Sequence, residues 1–192
     1  WAAFKALSDK YDLPIVVDNT FGAGGYLFQP LKHGAHIVVA SATKWIGGHG
    51  TSIGGVIIDG GNFNWGNGKY PQFTEPSEGY HGLVYHEALG NAAFIAKVRI
   101  EGLRDYGAAL SPFNAFQIIQ GLETLPIRIK RHSENALELA KWLEFQEEVA
   151  WVNYPGLKSS KYYILVQEYL QKGQSGVLTF GLKGGYEAAK KV

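Results

Sequence analysis

Cysteine and methionine are both absent from this 192-residue sequence, and each absence narrows the reading. Without cysteine there is no disulfide framework, no thiol nucleophile and no thiolate metal site. That composition fits a cytoplasmic protein, which is the expected location. Without methionine, and with Trp1-Ala2-Ala3-Phe4 in place of a basic and apolar leader, the first residue is expected not to be the translated start. An excess of one charge is missing too. The 18 Lys and Arg face 17 Asp and Glu, so no global field draws in nucleic acid or an anionic membrane. No apolar run approaches the ~20 residues of a membrane-crossing helix, so no membrane partner is expected. The six histidines show neither H-x-x-x-H nor H-E-x-x-H spacing, which leaves no candidate metal site.

What is present is globular: 46% hydrophobic and 18% charged residues, enough for one large domain or parts of two. Phe4 to Tyr11 carries helical apolar spacing and is stopped by Asp12-Leu13-Pro14. Ile15-Val16-Val17 and His36-Ile37-Val38-Val39-Ala40 read as buried strands, and Gly54 to Asp59 as a third, in an α/β sheet covered on both faces. Residues 60 to 80, rich in Gly, Asn, Pro and aromatics, read as one long irregular loop of the kind that forms lids or binding segments. Ala92 to Leu103, Phe113 to Leu122 and Pro126 to Phe145 read as helices. Val149 to Val152 and Ser175 to Leu182 read as strands, Tyr154 to Leu157 as a turn, and Tyr186 onward as the start of a helix. The boundary between two domains is drawn near residue 126.

Chemistry collects at the carboxyl ends of the first two strands, where ligands of open α/β sheets bind. Asp18 ends the first, and Ser41-x-Thr43-Lys44 ends the second. A lysine just past a buried strand is expected to be partly desolvated, which makes it a usable amine nucleophile. Two hydroxyls one residue apart, beside loop amides, suit a phosphate ester. An aspartate at the neighbouring strand end can hold a protonated ring nitrogen. Aldehyde, phosphate and pyridinium together describe pyridoxal 5'-phosphate. The plainer readings stand beside these: Asp18 as a turn cap, Lys44 as a solvated surface lysine, Ser41 and Thr43 as turn residues.

Other residues have structural readings. Gly22-Ala23-Gly24-Gly25 lacks the spacing of a dinucleotide fingerprint. His33 and His36 straddle a turn and a strand and read as structural, and His49 as packing within the lysine loop. Arg128, Lys130 and Arg131 read with Glu134 as solvated ion pairs. Tyr70, Phe73, Tyr80 and Tyr85 read equally well as a lid or as buried packing.

The string Val16-Val17-Asp18-Asn19-Thr20-Phe21, then Pro30-Leu31, Gly34-Ala35, Ile37-Val38 and Ser41-Ala42-Thr43-Lys44-Trp45-Ile46-Gly47-Gly48-His49-Gly50, resembles the signature of the cystathionine and methionine metabolism family of pyridoxal-phosphate enzymes. The resemblance implies that Lys44 carries the cofactor and is the catalytic residue, that Asp18 pairs with its ring nitrogen, and that Ser41 and Thr43 bind its phosphate. Gly50-Thr51-Ser52-Ile53-Gly54-Gly55, Phe63-Asn64-Trp65, Gly79-Tyr80-His81-Gly82, Gly107 to Phe116, Gln120 to Pro126 and Arg131 to Ala136 are similar to the O-acetylhomoserine sulfhydrylase branch. Ala40 stands where the family often has histidine. Phe145 to Glu148 and the stretch around Tyr162-Tyr163-Ile164 do not align.

The resemblance implies an aspartate-aminotransferase-like (type I) α/β fold, with a mixed, mostly parallel central sheet plus a smaller C-terminal α+β domain. Residues 1–125 would be the C-terminal half of the large cofactor-binding domain and 126–192 the start of the small one. The implied reaction replaces the acetoxy group of O-acetyl-L-homoserine by sulfide, giving L-homocysteine and acetate. The alternatives are a cystathionine synthase or lyase, a methionine γ-lyase, or a non-catalytic relative. The family's stacking aromatic ring, its phosphate-binding glycine loop and its carboxylate-binding arginine are not found here. The chain is therefore expected to be an internal segment, and the whole protein a homodimer at least, commonly a tetramer.

Overall fold

The structure is a computed structural model that describes residues 1–191. Its organising element is a three-stranded sheet. Helix α1 (Ala2–Tyr11) leads in and ends at Asp12, which takes a left-handed conformation with φ 46°. Strand β1 (Val16–Asp18) pairs parallel with β2 (Ile37–Ser41), in the register Val16 to Ile37 and Asp18 to Val39. The crossover between them is made of two 3-10 turns, Thr20–Gly25 and Pro30–His33, rather than a long helix. β3 (Gly55–Asp59) returns antiparallel on the other side of β2, which makes the sheet mixed.

Only the middle strand is buried as the sequence suggests. Ile37, Val38 and Ala40 are in the core, while Val16, Val56, Ile57 and Ile58 are exposed. β2 has a neighbour on each side, whereas β1 and β3 are the edges of this sheet. The expectation of strands covered on both faces therefore holds within this chain for β2 alone.

Residues 60 to 80 also depart from the reading. They contain α2 (Pro71–Thr74) and a 3-10 turn (Glu78–Tyr80), and they pack rather than hang free. Phe63, Trp65 and Phe73 are buried with Ile37, Tyr85 and Ala93, and Trp65 stacks on Phe94 at 5.3 Å between ring centroids. Aromatic rings of this size bring enough apolar surface to order a segment that lacks regular hydrogen bonding. For Phe73 and Tyr85 the packing reading is the right one. α3 (Tyr85–Leu89) follows. α4 (Ala93–Lys97) then runs through a π-helical stretch, Val98–Leu103, into α5 (Arg104–Tyr106).

α6 (Pro112–Glu123) starts with Pro112 and is capped by Ser111, whose hydroxyl accepts from Asn114 N–H at 3.1 Å. α7 (Leu125–Glu144) begins one residue after Thr124 and serves two cores. Its first half places Leu125 and Ile129 against Ala23 and Leu27. Its second half places Ala136 and Ala140 against Tyr154 and Leu157. β4 (Val149–Asn153) and β5 (Thr179–Leu182) form a separate antiparallel pair. β5 starts later than the alternation suggests. Ser175 has φ 83° and turns the chain, and its carbonyl accepts from the buried Tyr154 hydroxyl at 2.8 Å. α8 (Tyr163–Tyr169), unread in the sequence, buries Val166, and α9 (Gly185–Ala189) closes the described chain. No helix among the described residues is long and apolar enough to cross a membrane.

Candidate functional site

Two parallel strands end side by side, and their next residues build the site. Asp18 closes β1 and is exposed. Its Oδ1 accepts from the Thr20 backbone N–H at 2.9 Å and from the Thr20 hydroxyl at 2.6 Å. These bonds hold the Asp18 carboxyl below the usual carboxylate range, the hydroxyl bond contributing most. Thr20 Oγ1 in turn accepts from Ser41 N–H at 2.9 Å, so one hydroxyl ties the end of β1 to the end of β2. The turn-cap reading of Asp18 is thus correct for Oδ1. It does not occupy Oδ2, which leaves a charged acceptor for a second partner.

Past Ser41 the chain enters a five-residue π-helical turn, Ala42–Ile46. Lys44 sits inside it with φ −85° and ψ −117°, away from helical values. Lys44 is exposed, which corrects the expected desolvation. Thr43 is committed locally. Its hydroxyl accepts from Gly54 N–H at 3.0 Å and lies 3.2 Å from Gly54 carbonyl, to which it donates, clamping the lysine turn to the start of β3. With its proton on that carbonyl, Thr43 keeps acceptor capacity but no donor for a phosphate. Ser41 is half-buried, and its backbone N–H goes to Thr20.

A cleft of about 520 Å³ opens here, lined in part by Thr20, Phe21, Thr43, Lys44, Trp45 and His132. Asp18 and Ser41 do not line it themselves, but both are hydrogen-bonded to the hydroxyl of Thr20, which does. The cleft is in the size range of small-molecule sites. An exposed primary amine and a carboxylate held charged with one oxygen free are groups that an aldehyde-bearing pyridine phosphate requires, so the residues fit that cofactor. Among the described residues, no group of three or more His, Asp and Glu side chains is placed to hold a metal ion.

Sequence reasoning assigned Thr20 no role of its own and read Arg128 as part of a solvated ion-pair face. The signal for Thr20 was the Asp-x-Thr spacing, which favours side-chain bonds back to the carboxylate. Arg128 is no solvated ion pair: its guanidinium bonds to the backbone of the lysine turn, and only Arg131 meets Glu134, at 3.5 Å. His36 is structural, its Nδ1 accepting from Ile15 N–H at 2.8 Å, and His33 stacks on Phe28. His49 is exposed, against the packing expected of it.

A cleft at the carboxyl end of a mixed α/β sheet, with an amine and a charged carboxylate on adjacent strands, is a place where a carbonyl cofactor can be carried on lysine. The comparisons with known proteins agree. Residues 2–192 match the family described as Cys/Met metabolism PLP-dependent enzyme, and the chain belongs to that family. It is 57% identical over 180 residues to homocysteine/cysteine synthase of Saccharomyces cerevisiae, covering 93% of this chain and 40% of that protein. It is 53% identical to O-acetyl-L-homoserine sulfhydrylase of Leptospira meyeri, covering 99% of this chain and 45% of that protein. Among solved structures, a Campylobacter jejuni protein described as an O-acetylhomoserine (thiol)-lyase superposes with a TM-score of 0.92 at 36% identity, over 98% of this chain and 47% of that one. That structure carries an N'-pyridoxyl-lysine-5'-monophosphate. The fold is therefore that of a pyridoxal-phosphate-dependent enzyme of this family. The chain spans about 40 to 45% of the length of these curated relatives.

Proposed function

We propose that the protein to which this chain belongs replaces the acetoxy group of O-acetyl-L-homoserine by sulfide, releasing L-homocysteine and acetate. The observation that carries this reading is the placement of Lys44 and Asp18 on adjacent parallel strand ends. It is supported by relatives of this chain named for that sulfhydrylase activity. Bound there, pyridoxal phosphate supplies an electron sink for charge that develops on the substrate carbons.

The residues of this chain divide the work. Lys44 would hold the cofactor through its amine, and that same amine would be placed to take and return protons at the substrate's α and β carbons. Asp18, kept ionised by Thr20, would hold a proton on the cofactor's ring nitrogen, its Oδ2 being free of the Thr20 bonds. Ser41 and Thr43 stand at the phosphate end, Ser41 by its hydroxyl and Thr43 chiefly by fixing the turn on Gly54. The exposed amine and exposed outer strands are covered, on this reading, by the remainder of the polypeptide and by a second subunit.

The full-length protein with added pyridoxal phosphate is tested for sulfide-dependent release of homocysteine and acetate from O-acetylhomoserine. Matched turnover of both products supports the reading. Release of a keto acid without sulfide, or turnover of cystathionine alone, assigns a lyase instead.

A further inference from the structure

Arg128 lies in the first turn of α7 and also lines the cleft that holds Lys44. The lysine turn ends without a continuing helix. Gly47 and Gly48 N–H groups bond back to Ala42 and Lys44 carbonyls, each at 2.8 Å, which leaves the carbonyls of Trp45 and Ile46 in need of donors. Arg128 Nη2 donates to both, at 3.0 and 3.3 Å. The same nitrogen lies 2.7 Å from Gly121 carbonyl, in the last turn of α6. Nε donates to Thr124 Oγ1 at 3.0 Å, which fixes the plane of the guanidinium. One cation therefore gathers carbonyls from two helical C-termini, where positive charge is favoured.

The surrounding backbone is shaped for this contact. A Cβ on Gly121 would lie 2.0 Å from Gly47 carbonyl oxygen, so α6 and the lysine turn touch backbone to backbone. Gly48 has φ +76°, and a Cβ there would lie 2.4 Å from Arg128 Nη1. Because Lys44 has non-helical torsions, small rotations at residues 44 to 46 would swing its amine. Misplacement of a reacting group by about 1 Å can cost on the order of a hundredfold in rate.

We propose that Arg128 is a positioning residue for Lys44: its guanidinium pins the lysine-bearing turn to the α6–α7 corner and so fixes where the amine enters the cleft. This rests on the reading of Lys44 as the cofactor lysine. Lysine at position 128 could not reproduce it, since a single ammonium cannot hold Thr124 and three carbonyls from one fixed plane.

The test compares full-length Arg128→Ala, Arg128→Lys and Gly48→Ala with the parent, with Lys44→Ala as reference. Amide exchange over residues 42–48 is read without cofactor. The pH titration of the visible band of lysine-bound cofactor is read with it. Exchange in that segment is expected to rise about tenfold or more in Arg128→Ala and Gly48→Ala while β2 stays protected. The band midpoint should move by about half a pH unit or more, and kcat should fall roughly tenfold or more with KM nearly unchanged. Arg128→Lys should recover only part of each effect. Gly48→Ala crowds the guanidinium without removing it but also strains a backbone at φ +76°, so Arg128→Lys, which keeps the cation and loses the fixed plane, decides the matter where Arg128→Ala does not fold. Unchanged segment exchange and an unchanged band titration in the folded variants would overturn the proposal, whatever happens to Tm. A visible band that persists in Lys44→Ala defeats the Lys44 reading itself, and that failure shows with Arg128 intact.

Discussion

The Thr20 hydroxyl donates to Asp18 Oδ1 at 2.6 Å while accepting from the backbone of Ser41, so the aspartate's charge and the alignment of two strand ends depend on one oxygen. Thr20→Val keeps the β-branched shape and the backbone bond to Asp18 but removes that oxygen. Asp18 should then regain part of its ordinary acidity, and it will protonate at a higher pH than in the parent. In the full-length enzyme the acid limb of kcat/KM should move to higher pH, and Thr20→Ser should restore it. A pH–rate profile unchanged by Thr20→Val would show that Thr20 does not set the charge of Asp18.

Asp18→Asn removes the charge without removing the turn, since the amide oxygen can still accept from Thr20. The variant should retain most cofactor binding and lose turnover by a factor of about 30 or more, the usual cost of breaking a close charge pair. Single-turnover kinetics on the cofactor-loaded variant measure this. Near-parental rates would show that the ring nitrogen is managed by another group.

How much of this was legible beforehand differs from element to element. The strands and helices on the cofactor side were legible because β-branched runs and helical spacing were uninterrupted, as in Ile37-Val38-Val39 and Leu125 to Glu144. The candidate residues were legible because they follow strands directly. The segment from 60 to 80 was not, because its order comes from rings far apart in sequence, such as Trp65 on Phe94. α8 was hidden by its aromatic and β-branched start, Tyr163-Ile164, which has weak helix preference. Arg128 was misread because charge pattern along a helix says nothing about carbonyls that arrive from 80 residues away.

Glu101 is the anchor of the segment between β3 and α4. Its carboxylate accepts from Ser77 Oγ at 2.6 Å, Tyr85 OH at 2.9 Å and Lys97 Nζ at 2.6 Å. The bonds from Lys97 and Ser77 hold its pKa down to about 2, while burial and the bond to Glu101 push Tyr85 up to about 12. A carboxyl with a depressed folded pKa contributes stability above its unfolded pKa and loses it as pH falls toward the folded value. Glu101→Gln should therefore lower stability by about 1–3 kcal/mol at neutral pH and by less near pH 2. Denaturant melts at the two pH values read the difference, and an equal loss at both would contradict the assignment.

His36 acts in the same direction but at higher pH. Burial lowers its pKa below the usual 6.5, and its Nδ1 must be unprotonated to accept from Ile15. The unfolded chain then binds the proton more readily, so stability should fall as pH drops through about 6.5 toward 5. His36→Gln should flatten that part of the stability curve while leaving the steeper loss at lower pH. A His36→Gln curve parallel to the parent between pH 7 and 5 would show that His36 does not carry this dependence.

The central claim is that Lys44 is the residue to which the cofactor is attached. The full-length protein, loaded with pyridoxal phosphate, is reduced with borohydride, digested, and mapped by mass spectrometry. The account predicts a single pyridoxyl phosphate adduct on the peptide containing Ser41-Ala42-Thr43-Lys44, localised to Lys44 and absent from Lys44→Ala. An adduct on any other lysine, or none, would contradict it.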